Sequence, residues 1–165
     1  GADVEARTCG LEPINATGGS AQAFEIDAGI VFEDDRVLVE AFGVEHGTTW
    51  EPLGYKFTTA ERTIVVSGDT APCPEVYDLW QDCDLLIHEV YSAAGFARRA
   101  PHWQAYHSHM HTSGLKLGEI AQRVRPKLLV LTHLLLWGET PEALVAEVEQ
   151  SFDGAVQCGV DLGVY

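Results

Sequence analysis

Three short segments of this chain each place a metal-ligating side chain directly after a run that reads as a β-strand. They are Val44-Glu45-His46-Gly47, Ser67-Gly68-Asp69-Thr70 and Leu131-Thr132-His133-Leu134. In layered α/β folds the loops leaving strand ends are where functional side chains converge. Imidazole with carboxylate suits zinc, manganese or iron rather than calcium, because imidazole prefers borderline metals. Taken singly, an Asp after a Gly is more often a turn residue, so the argument rests on the set. A fourth group, His102, His107, His109 and His111, reads either as an extra metal site or as a polar loop, and only His111 is singled out from it. The four cysteines, Cys9, Cys73, Cys83 and Cys158, show no C-x-x-C spacing, which argues against a zinc finger and for buried thiols, with disulfides as the alternative.

The elements that must position these residues follow from periodicity. Residues 30–32 and 37–44 form β-branched and apolar runs around the Asp34-Asp35 turn, and residues 53–58 and 63–67 make a second hairpin across the polar residues 59–62. After Asp69 the rhythm changes to alternating strands and helices, the pattern of a sheet with helices packed on one face. Helices are expected over 75–81, over 113–124 and from Thr140 onward, where Thr is placed to cap and Pro141 to open the first turn. Strands are expected over 84–89, 127–132, 155–158 and 162–165. The first 22 residues read as an irregular segment.

With the motifs in place, the chain resembles the metallo-β-lactamase superfamily, most closely its RNase Z-like and arylsulfatase-like branch. The resemblance rests on Gly29-Ile-Val-Phe-Glu-Asp-Asp, Val44-Glu-His46 with Gly54-Tyr55, Ser67-Gly-Asp-Thr, Leu86-Ile-His-Glu-Val, His111-Thr-Ser and Leu131-Thr-His133, in order and at approximate spacing. It implies an α/β fold for residues 23–165: the second half of an αββα sandwich, a mixed β-sheet with helices on one face. It also implies two divalent metal ions, zinc first, with manganese or iron as alternatives. His46 and His133 would be terminal ligands of different metals, and Asp69 the carboxylate bridging ions about 3.5 to 4 Å apart. His111 would protonate the leaving oxygen, with Glu89 orienting it, since a carboxylate beside an imidazole helps it act as a general acid.

The superfamily's His-x-His-x-Asp-His signature is not found in the 165 residues; His107-Ser-His-Met-His111 lacks the Asp-His pair and lies after Asp69. Three ligands divided over two metals leave each ion too few protein contacts for a closed shell. Gly1 and the single methionine, Met110, suggest that a part of the protein upstream is missing. The expected partner is therefore the N-terminal half of the fold or a second copy, making a homo-oligomer.

The reaction implied for the intact protein is hydrolysis of a phosphoric, sulfuric or carboxylic ester by a metal-bound hydroxide. A net charge of −15, from 25 acidic and 10 basic residues, argues against general nucleic-acid binding. RNA-gripping extensions of the family can lie where this chain has only residues 59–62. Both features favour a small-molecule ester over RNA. A tRNA 3′-processing endonuclease of RNase Z type, or a non-catalytic degenerate half-domain acting in binding or oligomerisation, are the alternatives. Arg98 and Arg99, near His102 and Trp103, form a local basic patch able to contact a phosphate or sulfate. No run is long and apolar enough to span a bilayer, so no membrane partner is expected; localisation is not determined, a cytoplasmic one being slightly favoured.

Overall fold

A computed structural model describes residue 5 and residues 21–48 and 51–165. Most of the expected irregular segment 1–22, including Cys9, lies outside these. Strands β1 (Gly29–Glu33), β2 (Leu38–Gly43), β3 (Leu53–Thr58) and β4 (Thr63–Val66) form two antiparallel hairpins. Local side chains close both turns. The Asp34 carboxylate accepts from the amides of Arg36 and Val37, each at 2.8 Å, and the Thr59 hydroxyl accepts from those of Glu61 and Arg62 at 3.2 and 2.9 Å.

From β4 the chain crosses over through a 3₁₀ turn (Pro74–Val76) and α1 (Tyr77–Trp80) to β5 (Leu85–Tyr91), which pairs parallel with β4. Helices α2 (Ala93–Ala97), α3 (Pro101–His107) and α4 (Gly114–Val124) lead to β6 (Leu128–Leu135), and α5 (Pro141–Val148) leads to β7 (Ala155–Cys158). The result is one seven-stranded mixed sheet in sequence order, antiparallel from β1 to β4 and parallel from β4 to β7. Ser113 and Thr140 cap α4 and α5 by accepting from the amides of Lys116 and Ala143, each at 3.2 Å.

The register separates two apolar faces. Val65, Leu86 and Leu129 stand in one row and are fully buried under Trp80, Leu117, Ile120, Val124, Leu144 and Val148 of the helices. Gly118 permits α4 to approach α5 closely, since a Cβ there would lie 2.4 Å from the Val148 carbonyl oxygen. On the opposite face Phe57, Ile64, Leu85 and Leu128 form an equally apolar row that is only half-buried. Strands apolar on both sides belong to sheets covered on both sides.

Two expectations need correction. Residues 162–165 do not form a strand: the amide of Gly163 donates to Val160, Leu162 has φ of +62°, and the Tyr165 hydroxyl folds back to accept from the Val160 amide at 2.6 Å. A left-handed residue breaks strand alternation, and Leu162 and Val164 are fully exposed among the described residues. The histidine-rich stretch is not all loop either, for His102 and His107 lie on α3 while His109 sits in the turn that follows it. Ala100 is extended before Pro101, the geometry that opens a helix. The Gln104 amide then ties α3 back to the carbonyls of Phe96, Ala97 and Arg99 at 3.2, 3.2 and 3.0 Å.

Cys73, Cys83 and Cys158 are free thiols. Burial pushes Cys73 and Cys83 each up to about 11, so neither is a thiolate nucleophile near neutral pH. His88 is buried edge-on to Trp80 with ring centres 5.5 Å apart, its Nδ1 donating to the Glu89 carbonyl at 2.5 Å and its Nε2 without a partner among the described residues. Burial holds His88 below its ordinary value of 6.5 despite the opposing pull of Glu89. Between those values the unfolded chain takes up a proton that the folded chain refuses. The His88 contribution is therefore complete above pH about 6.5 and is lost as pH falls below it. The urea midpoint should decline on acidification through this window, and His88→Leu should flatten that part of the profile; an unchanged slope in the variant would assign the decline to other groups.

Candidate metal centre

His46, Asp69, Glu89, His111 and His133 converge at the edge of the sheet where β2, β4, β5 and β6 end. Asp69 follows Gly68, whose φ is +66° and where a Cβ would lie 2.8 Å from the Leu53 carbonyl oxygen, so a glycine is needed to turn the chain there. The neighbouring loop is clamped onto this one: the Ala71 amide donates to the Glu45 carbonyl at 2.6 Å, and the Glu45 amide to the Thr70 hydroxyl at 3.1 Å. His46 Nδ1 donates to the Met110 carbonyl at 2.7 Å. That bond leaves Nε2 with the free lone pair, the arrangement that orients a ligating imidazole.

His133 is presented by an irregularity that spacing could not reveal. Thr132 pairs with Glu89 and Leu134 with Val90, so His133 is the extra residue of a β-bulge and adopts φ of +44°. The bulge sets its Nε2 3.6 Å from Asp69 Oδ2. A non-glycine residue in this region stores strain. His133→Gly should therefore be about 1 kcal/mol more stable than His133→Ala in equilibrium denaturation. Both variants lose the same imidazole, so equal stabilities would show that the bulge is unstrained.

Glu89 is 1% exposed. Its Oε1 accepts from the amides of Thr112 and Thr70 at 2.7 and 3.4 Å, and the Thr112 hydroxyl donates to the Thr70 carbonyl at 2.7 Å. Its Oε2 lies 3.2 Å from His111 Nδ1, within ion-pair range but misaligned for a hydrogen bond, so each atom lacks an aligned partner among the described residues. The His111 ring stacks on His133 with centres 5.5 Å apart and meets His46 edge-on at 5.0 Å.

The potential ligand atoms of His46, Asp69 and His111 all lie within 4.8 Å of one another, as do those of Glu89, His111 and His133. Such nitrogen and carboxylate donors fit zinc, manganese or iron in kind. In number, five side chains shared between two overlapping groups are too few to complete two four-coordinate shells. The geometry thus brings all five expected residues together, and it sets His111 within reach of both groups.

Other residues that shape the site escaped sequence reasoning. Thr70 and Thr112 hold Glu89, and Met110 orients His46. Glu147, on α5, accepts from the Ser92 hydroxyl at 2.9 Å and from the amides of Ala93 and Ala94 at 2.7 and 3.1 Å, thereby fixing the start of α2. Thr70 and Thr112 carried a signal, through their places in Ser67-Gly-Asp-Thr and His111-Thr-Ser; the rest depend on contacts distant in sequence. Arg98 of the basic patch is engaged with Glu139 at 2.5 Å, while the Arg99 guanidinium lies over the rings of Trp103 and Trp137.

A family model described as a β-lactamase superfamily domain matches residues 1–134. The ribonuclease Z of Myxococcus xanthus (strain DK1622) is 31% identical over 101 residues, a match covering 61% of this chain and 31% of that protein. Among solved structures, the metallo-β-lactamase fold protein YhfI from Bacillus subtilis superposes with a TM-score of 0.63 at 21% identity, covering 79% of this chain and 49% of that one. The short form of human tRNase Z gives a TM-score of 0.55 at 23% identity, covering 79% of this chain and 43% of that one. The chain thus spans about a third to a half of these relatives, and the two superpositions establish its fold. By its sequence match, the chain belongs to the β-lactamase superfamily, and it has the metallo-β-lactamase fold.

Proposed function

We propose that this chain carries the later metal ligands and the proton donor of a two-metal phosphodiester hydrolase of ribonuclease Z type. The observation that carries the reading is that His46 and Asp69 gather with His111, that His133 gathers with His111 and buried Glu89, and that Asp69 and His133 lie 3.6 Å apart. The relatives named ribonuclease Z turn it toward RNA 3′ processing.

His46 and His133 would hold different ions, zinc first, with manganese or iron as alternatives, and Asp69 would bridge them. Bound there, such ions supply Lewis acidity and a water acidified for attack. Asp69, partly exposed beside His133, offers two carboxylate oxygens and offsets positive charge. The Met110 carbonyl keeps His46 Nε2 aimed inward. With Nδ1 of His111 turned to Glu89, its Nε2 is the atom left to hand a proton to the leaving oxygen. Thr70 and Thr112 keep Glu89 from turning away. The further ligands would come from an N-terminal half of the fold or a second copy packed on the half-buried face, in a homo-oligomer.

A second reading, hydrolysis of a small-molecule ester, is favoured by the charge of −15 and by the tight turn at residues 59–62, closed by Thr59. Incubating the intact metal-loaded protein with a 3′-extended precursor tRNA and with bis(p-nitrophenyl) phosphate separates the two. Cleavage at the tRNA 3′ end supports the first reading, and turnover of the small diester alone supports the second. A protein that binds no transition metal would instead be the non-catalytic half-domain.

A further inference from the structure

Beside the candidate centre lies a group of rings that the hydrolytic roles leave unused. Trp103 and Tyr106, on α3, are 43% and 49% exposed, high for side chains that usually gain stability by burial. Trp103 stacks on His107 with ring centres 5.7 Å apart at 25°, and His107 lies 4.7 Å from Trp137. The line continues inward: His107 is 5.6 Å from His111, and His111 is 5.5 Å from His133. A run of rings therefore leads from the surface to the ligand atoms.

The group is braced. Trp137 rests on Tyr91 at 5.6 Å, and Tyr91 stacks on Phe96 at 4.8 Å. The Arg99 guanidinium carbon sits 5.9 and 5.6 Å from the ring centres of Trp103 and Trp137, and Arg99 Nε and His107 Nδ1 are both buried without a hydrogen-bond partner among the described residues. A cation held between two indoles aligns them and adds positive potential beside a site suited to an anionic ester. The Glu147 clamp on α2 and the Gln104 bonds on α3 hold the segment in place.

We propose that Trp103, with Arg99, His107 and Trp137 behind it, is a stacking platform for a planar ring carried next to the phosphate ester. It is a specificity-determining surface rather than part of the bond-breaking machinery. A nucleobase and an aryl group share this chemistry. The proposal deepens the hydrolase reading and rests on it for the position of the ester.

The test is equilibrium binding to the intact protein in zinc-containing buffer, with adenosine 5′-monophosphate, phenyl phosphate and ribose 5-phosphate as probes. Both ring-bearing probes should bind more tightly than ribose 5-phosphate. Trp103→Ala should weaken the ring-bearing probes about tenfold, a typical loss for one stacked ring, and leave ribose 5-phosphate unchanged. Trp103→Phe should keep most of the affinity, and it serves if the alanine variant misfolds. Tighter binding of the nucleotide assigns the platform to a nucleobase, and tighter binding of phenyl phosphate to an aryl ester. Equal binding of all three probes, or an equal loss of all three in Trp103→Ala, overturns the proposal. Because binding needs no turnover, the expected pattern in a protein that hydrolyses nothing would keep the platform and remove the hydrolase reading. Turnover without the pattern would do the reverse.

Discussion

Asp69→Ala is expected to strip the centre of metal and to lower turnover by about three decades or more, the scale of several kcal/mol of lost charge stabilisation. Asp69 is the one carboxylate of the five that is both partly exposed and in contact range of a candidate ligand, with Oδ2 3.6 Å from His133 Nε2. Glu89, by contrast, is buried and occupied by two backbone amides. Removing Asp69 takes away oxygen donors and anionic charge together. The affinity loss should exceed the roughly 10- to 100-fold that follows from removing a group behind a ligand. Metal content by mass spectrometry and zinc affinity by calorimetry, on the intact protein, measure it. Retention of full metal content in Asp69→Ala would sink the ligand assignment, because His46 and His133 would then have to hold the ions without a bridge.

His111→Ala should behave differently: turnover falls by about 10²- to 10⁴-fold, the range for loss of a positioned proton donor, while metal content stays near that of the parent. The distinction matters because His111 lies within 4.8 Å of the possible ligand atoms in both groups, so geometry alone permits it to be a ligand. Its contact with Glu89 Oε2 at 3.2 Å is what argues for proton transfer. Metal content and turnover rate measured on the same samples separate the roles. Loss of metal in parallel with activity would make His111 a ligand and leave the proton donor unassigned. Thermal unfolding belongs beside both readouts, since the substitution leaves the buried Glu89 carboxylate without its neighbour, a change that itself costs stability.

How much of this was legible without coordinates depended on the range of the interactions. The turns at Asp34 and Thr59 and the cap at Thr140 are each completed by hydrogen bonds within three residues, so residue type and spacing reveal them directly. Strands 84–89 and 127–132 were readable because their residues are apolar on both faces, and the order of the motifs pointed to the five side chains that converge. The failures have one cause. Whether residues 162–165 pair as a strand depends on the backbone at Leu162 and on burial that the tail does not find, neither of which alternation reports. That His102 and His107 belong to a helix depends on α3 being tied down by Gln104 and α2 by Glu147, a residue more than 50 positions away from those it holds.

The sequence by itself determined which side chains could do chemistry, the alternating order of elements that carries them and the family to which they belong. Tertiary structure alone decided how they meet. His133 reaches Asp69 because pairing of β6 with β5 expels one residue into a bulge, and His46 exposes the correct nitrogen because Met110, 64 residues later, takes the other. Register and long-range hydrogen bonds are properties of two segments at once, so no single stretch of sequence contains them.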